Sequence, residues 1–226
     1  MLKLIKLEIK KFKFSKYIKG VIIANLVILG ILLLGALNTE ELMFNNYNDA
    51  FLYSSIMVRG TFSIFAAVLI SKLIIGEYKN KTINIMFTYP ISRKKIMIAK
   101  LAIIVLFTFT TMIISNIFLD SSIFILNIFM NFIKVPLTQA ILVKNIINFS
   151  VYSIAFSFVN LIPLYVGMKK KSEAATIVTS VILVSLLNNG SNSSTLGSII
   201  IIPISLAIIG AVVAYLSIKD IEKVDV

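Results

Sequence analysis

The sequence predicts an all-α integral membrane protein with six transmembrane helices and an N-terminal interfacial helix, on three observations. The chain of 226 residues is 58% hydrophobic and only 14% charged, with a mean hydropathy of +0.98, outside the range of soluble domains. Its apolar residues come in runs long enough to cross a hydrocarbon core about 30 Å thick, which takes roughly 20 residues of helix. Its Lys and Arg residues gather beside the ends of those runs, as they do in loops that set membrane topology.

Residues 1–17 place Leu2, Ile5, Ile9 and Phe12 along one helical stripe, with Lys3, Lys6, Lys10 and Lys13 along its neighbour. They read as an interfacial helix on an anionic leaflet, or as a basic flank that orients the first span. Spans follow over residues 18–37, 53–75, 96–119, 146–168, 172–187 and 196–217, forming one transmembrane domain over 1–226. With the N-terminus inside, nineteen of the 22 Lys and Arg residues fall on the inner side. The expectation is therefore a multi-pass protein of the cell membrane with both termini cytoplasmic.

Between the third and fourth spans, the apolar segment 121–133 is too short to cross. It reads as an extension of the third helix or as an outer-surface segment, halted by Pro136. Pro163 and Pro203 are candidate kinks. Polar residues within the runs, among them Asn25, Asn116, Asn160 and Ser180, read as hydrogen-bonding links between helices, as does the small pair Gly210 and Ala214 by close packing.

Much chemistry is excluded. The chain has no Cys and no His, which removes thiolates, disulfides, imidazole bases and imidazole metal ligands. The only Asp or Glu within the six predicted spans is Glu173, at the inner end of the fifth, so no intramembrane carboxylate pair or proton relay is expected. The net charge of +12 is distributed for orientation, and no nucleic-acid partner is expected. No G-x-x-x-x-G-K-[ST] loop occurs, so any ATP use has to come from a partner. Arg59, inside the second span, reads as a snorkelling residue, a partner of Asp49 or Asp120, or a pathway residue. Lys72 lies near the inner end of the same span and can snorkel.

The connection over residues 76–92 is longer than a turn between neighbouring helices requires. Ile83, Met86 and Phe87 share one face at i, i+3 and i+4, so a short surface helix is expected there, ended by Pro90. Ser92 is a candidate N-cap for the third span. Arg93, Lys94 and Lys95 then occupy a first helical turn, where the macrodipole disfavours cations. Lipid phosphates or carboxylates of a partner protein are the two candidates for what stands opposite.

Glu77, Thr82, the run Pro90–Ile91–Ser92–Arg93, Ile96 and Lys100 follow the pattern E-x4-T-x7-P-[IV]-S-R-x2-[IL]-x3-K. That signature, with the span layout and the basic N-terminal helix, resembles the permeases of ABC-2 type transporters; Lys81 departs from it, standing where the family commonly has Gly. The resemblance implies an ABC-2 type exporter fold and a permease subunit without catalytic activity. It also implies a second permease chain, as a homodimer, and two copies of a cytoplasmic ABC ATPase that carry the ATP and Mg; no cofactor is expected in this chain itself. Residues 76–92 become a coupling segment: Glu77, Tyr78, Lys79, Asn80, Lys81 and Thr82 would touch the ATPase, and Ile83, Met86 and Phe87 would anchor the helix. An outer gate is implied around 188–197. Membrane lipid is a further partner. Bare spans suit an amphipathic or hydrophobic cargo. Short six-span chains resemble the permeases of antimicrobial-peptide immunity and of phenol-soluble modulin export, which implies a peptide substrate. A secondary transporter or channel, and a non-transporting membrane anchor, are the alternatives.

Overall fold

The computed structural model describes residues 2–11, 15–37, 46–79, 92–188, 197 and 199–219. These form α1 (Leu2–Lys11), α2 (Ser15–Leu37) and α3 (Tyr47–Ile70), which continues through one π-helical turn (Ser71–Ile75) into α4 (Gly76–Lys79). Then come α5 (Arg93–Met130), α6 (Gln139–Val159), α7 (Ile162–Lys170), α8 (Glu173–Asn188) and α9 (Ile201–Lys219). No strand occurs among the described residues. Among the described residues, five stretches are long and apolar enough to cross a membrane: Ser15–Ala36, Tyr47–Lys79, Arg93–Met130, Gln139–Lys170 and Ile201–Lys219. The chain is a multi-pass membrane protein. The crossing expected over 172–187 falls on α8, which has 16 residues and spans only about 24 Å.

α5 runs for 38 residues, about 57 Å of helix, well past the thickness of a hydrocarbon core. The segment after residue 120 is thus an extension of the third helix. Its stop is Asn131, in the left-handed region at φ 49°, whose N–H donates to the Asn127 carbonyl. Asn tolerates that conformation at a helix end, and Pro136 lies beyond the stop. Asn127 then holds the returning chain: its Nδ2 donates to the Tyr47 hydroxyl at 2.8 Å, and its Oδ1 accepts from the Ile133 N–H at 2.7 Å.

The expected span over 146–168 is broken. A turn at Asn160–Leu161 separates α6 from α7, and Pro163 sits in the first turn of α7, where its missing N–H costs no helical bond. Pro203 likewise stands in the first turn of α9 and interrupts nothing.

α3 is the central helix, packed against α5, α6 and α8. Two apolar cores surround it, one built on Ile28, Val58, Phe62, Met112 and Phe156, the other on Leu69, Leu73, Met97, Ile104 and Leu164. α6 and α9 meet closely at Gly210, where a Cβ would collide with the Phe158 carbonyl. Two of the predicted polar links join helices: Asn25 donates to Ser115 at 2.9 Å, and Ser180 donates to the Ser63 carbonyl at 3.2 Å. Asn116 instead donates to its own helix at Met112.

Candidate functional site

Two buried cations organise the polar interior. The first is Lys100, one turn into the apolar part of α5 and fully buried. An ammonium cannot stay charged in such a place without partners. Its Nζ donates to Glu77 Oε2 at 2.6 Å and to the Leu73 carbonyl at 2.8 Å, and Glu8 Oε2 stands 3.3 Å away. The Leu73 carbonyl belongs to the π-helical turn, in which the Gly76 N–H reaches back five residues to Ser71. Such turns disturb the regular ladder of helical bonds and recur at functional positions. Lys100 therefore ties together α1, the end of the second span and the start of the third. Beside it, Lys72 and Ser71 both donate to Glu173 Oε2, at 2.8 and 3.3 Å, fixing the start of α8 to the same end of α3.

The second cation is Arg59, in the middle of α3 and 3% exposed. Eighteen residues of helix separate it from Glu77, about 27 Å along the axis. It pairs with neither Asp49 nor Asp120, contrary to one sequence expectation, and it does not snorkel. Its Nε donates to the Ser55 carbonyl at 3.1 Å and its Nη1 to the Gly197 carbonyl at 2.9 Å. The guanidinium carbon lies 4.5 Å from the Tyr152 ring centre and 5.4 Å from that of Phe156. Asp120 is occupied elsewhere, accepting from Ser54 at 2.6 Å and from Asn145 at 2.7 Å. A cavity of about 420 Å³ opens beside Arg59, lined also by Lys144, Asn48, Asn145, Asn148 and Tyr152.

Of the residues singled out in the sequence, Glu77 and Lys100 are brought into direct contact, so the first and last positions of the signature meet. Glu77 faces inward, Tyr78 is half-buried and Lys79 is exposed. Asn80, Lys81, Thr82, Ile83, Met86, Phe87 and Pro90 lie outside the described residues. Ser92 does stand at the N-cap of α5, but its hydroxyl makes no capping bond. Its carbonyl accepts from the N–H groups of Lys95 and Ile96, at 3.0 and 3.4 Å. Arg93 follows, half-buried, in the first turn.

Sequence reasoning missed Glu8 and Glu173, and it considered Asp120 only as a partner for Arg59. Asp120 fell one residue past the predicted span and lies inside α5 because that helix continues. Glu8 is the single acid before Glu40, which marks it as unusual but names no partner. The α1 stripe is also corrected: Leu7 and Ile9 are exposed, Ile5 is half-buried, and Glu8 is the buried residue.

Residues 4–188 match the family described as ABC-2 family transporter protein. The chain belongs to that family, and so is a membrane permease of an ABC transporter. Its members are typically non-catalytic membrane subunits that pair with an ABC ATPase. The chain is also similar to the uncharacterized protein YcbO of Bacillus subtilis (strain 168), 40% identical over 225 residues, which cover 98% of this chain and 99% of the relative. No solved structure matches.

Proposed function

We propose that this chain is the permease of an ATP-driven exporter, acting as a homodimer with two copies of a cytoplasmic ABC ATPase that carry the ATP and Mg. Its cargo is an amphipathic or hydrophobic peptide, moved outward, with both termini of the chain in the cytosol. The observation that carries this reading is the Glu8–Lys100–Glu77 cluster. It clamps together the two helices that flank residues 80–91, and it sits at the basic end of the bundle, where an ATPase would dock.

In this mechanism residues 80–91 receive the movement of the ATPase, with Lys79 and Thr82 at the contact. Ile83, Met86 and Phe87 seat the segment beneath the bundle. Glu77 serves as the inner anchor, since its carboxylate is already committed to Lys100. Because the ends of α3 and α5 share one buried cation, they move as a unit, and displacement at that end becomes rotation of α3. The exposed Lys79 and the chain after it transmit the force, while the cluster keeps it from being lost in independent sliding of helices.

Co-purification with a co-expressed ABC ATPase tests the reading. Lys79→Glu and Thr82→Arg should each release the ATPase while the permease remains folded, and an ATPase that stays bound to both overturns the assigned contact. ATP turnover in the complex should rise with an amphipathic peptide and not with sugars or ions. Transport that stops when the proton gradient is collapsed, with ATP intact, would instead identify a secondary transporter.

A further inference from the structure

The Arg59 cavity is not used by the coupling mechanism, and its chemistry is specific. Arg59 has five N–H donors, of which two are engaged, by the Ser55 and Gly197 carbonyls. Both are neutral acceptors. No carboxylate lies within ion-pair distance of Arg59 among the described residues. Tyr152 and Phe156 meet its ring-stacking face, which leaves the donor edge of the fork available. Lys144, exposed and one helical turn from Asn148, adds a second cation to the lining. Asp120, whose partner Ser54 lies on the same helix as Arg59, has one oxygen held by Ser54 and the other by Asn145.

We infer that this cavity is a carboxylate-binding site, which receives an acidic group of the peptide cargo at the end of the bundle opposite the Glu8–Lys100–Glu77 cluster. The planar guanidinium fork matches a carboxylate, and Asn48, Asn145 and Asn148 supply neutral polar groups around it. The volume of about 420 Å³ suits a short piece of chain. The site lies on the inward face of α6: Asn145, Asn148 and Tyr152 follow one stripe, while Leu142, Val143, Ile146 and Ile147 are exposed on the other. That placement favours a cargo inside the bundle over a lipid phosphate outside it. The identity of the cargo rests on the peptide-export reading; the carboxylate chemistry does not.

The sequence contains only two arginines, Arg59 and Arg93, so guanidinium nitrogen resonances of the full chain in nanodiscs are readily assigned with Arg93→Lys. The probes are acetate and an amphipathic helical peptide prepared as the C-terminal acid and as the amide. Acetate and the acid peptide should shift the Arg59 resonance, and the acid should bind at least about tenfold more tightly than the amide. Arg59→Gln should abolish that preference, and the change Lys144→Gln at an exposed residue should weaken acid binding about threefold. An Arg59 resonance indifferent to acetate and to peptide overturns the site, whether or not peptide stimulates ATP turnover. So does equal binding of acid and amide, or a shift that follows only phosphatidylglycerol in the nanodisc. A response to acetate without binding of any amphipathic peptide upholds the site and removes the peptide reading.

Discussion

Lys100 and Arg59 are both cations buried in an apolar helix bundle, yet their charges are met in different ways. Lys100 has two carboxylates and a backbone carbonyl around one ammonium. Arg59 has two carbonyls and two aromatic rings around a guanidinium. The first arrangement neutralises the cation within the protein and joins three chain segments through it. The second solvates the cation with dipoles and ring faces but pairs it with no carboxylate among the described residues. A compact ammonium takes the strongly polar partners it needs, whereas a delocalised guanidinium tolerates stacking and partial hydrogen bonding. One end of the bundle is thereby built for rigid connection, and the other keeps the capacity to bind an anion.

The comparison is most sharply tested at Lys100. Lys100→Met removes the buried cation that joins Glu8 and Glu77 and should lower stability by about 3–5 kcal/mol, read as thermal unfolding of the purified chain in nanodiscs. Adding Glu77→Gln to that variant should restore part of the loss, because one of the two buried carboxylates that faced Lys100 then carries no charge. If the double variant is no better than the single one, the cluster is not held by charge compensation. Arg59→Met should cost less, about 1–3 kcal/mol, the range for neutral acceptors left without a donor. An Arg59 loss equal to that at Lys100 would mean that its charge is cancelled as fully, and the contrast would fail.

The smallest effect belongs to Lys72. Its pair with Glu173, at 2.8 Å, falls between the two that Lys100 makes, at 2.6 and 3.3 Å, but the Lys72 side chain is 57% exposed. Water screens such a pair, so Lys72→Gln should change stability by less than about 1 kcal/mol. Measured in low salt and in high salt, the difference should shrink as ionic strength rises. A salt-insensitive loss there would place burial of Lys72 closer to that of Lys100.

Membrane class, helical content and the position of the basic connection were legible because they depend on composition and on runs of residues near one another in the chain. The signature Glu77…Lys100 also marked two residues that matter. What it could not reveal was that they touch each other, with Glu8 as a third member, because the contact requires two antiparallel helix ends and α1 to converge. The reach of α5 was legible only as one of two readings of the segment after residue 120, for a similar reason. Asp120 and Ser121 look like the end of an apolar run, but Asp120 is hydrogen-bonded by Ser54 and Asn145, and the helix continues past it.

The sequence by itself determined that this chain lives in a membrane as helices, since the cost of an unpaired peptide group in hydrocarbon leaves an apolar chain little other choice. It also determined the family, through residues that carry the signature. Only the tertiary structure decided which buried charges are cancelled and which are left to act. Burial and pairing depend on what neighbouring helices present at the same depth, and that depth is set by packing around α3, far from any local pattern.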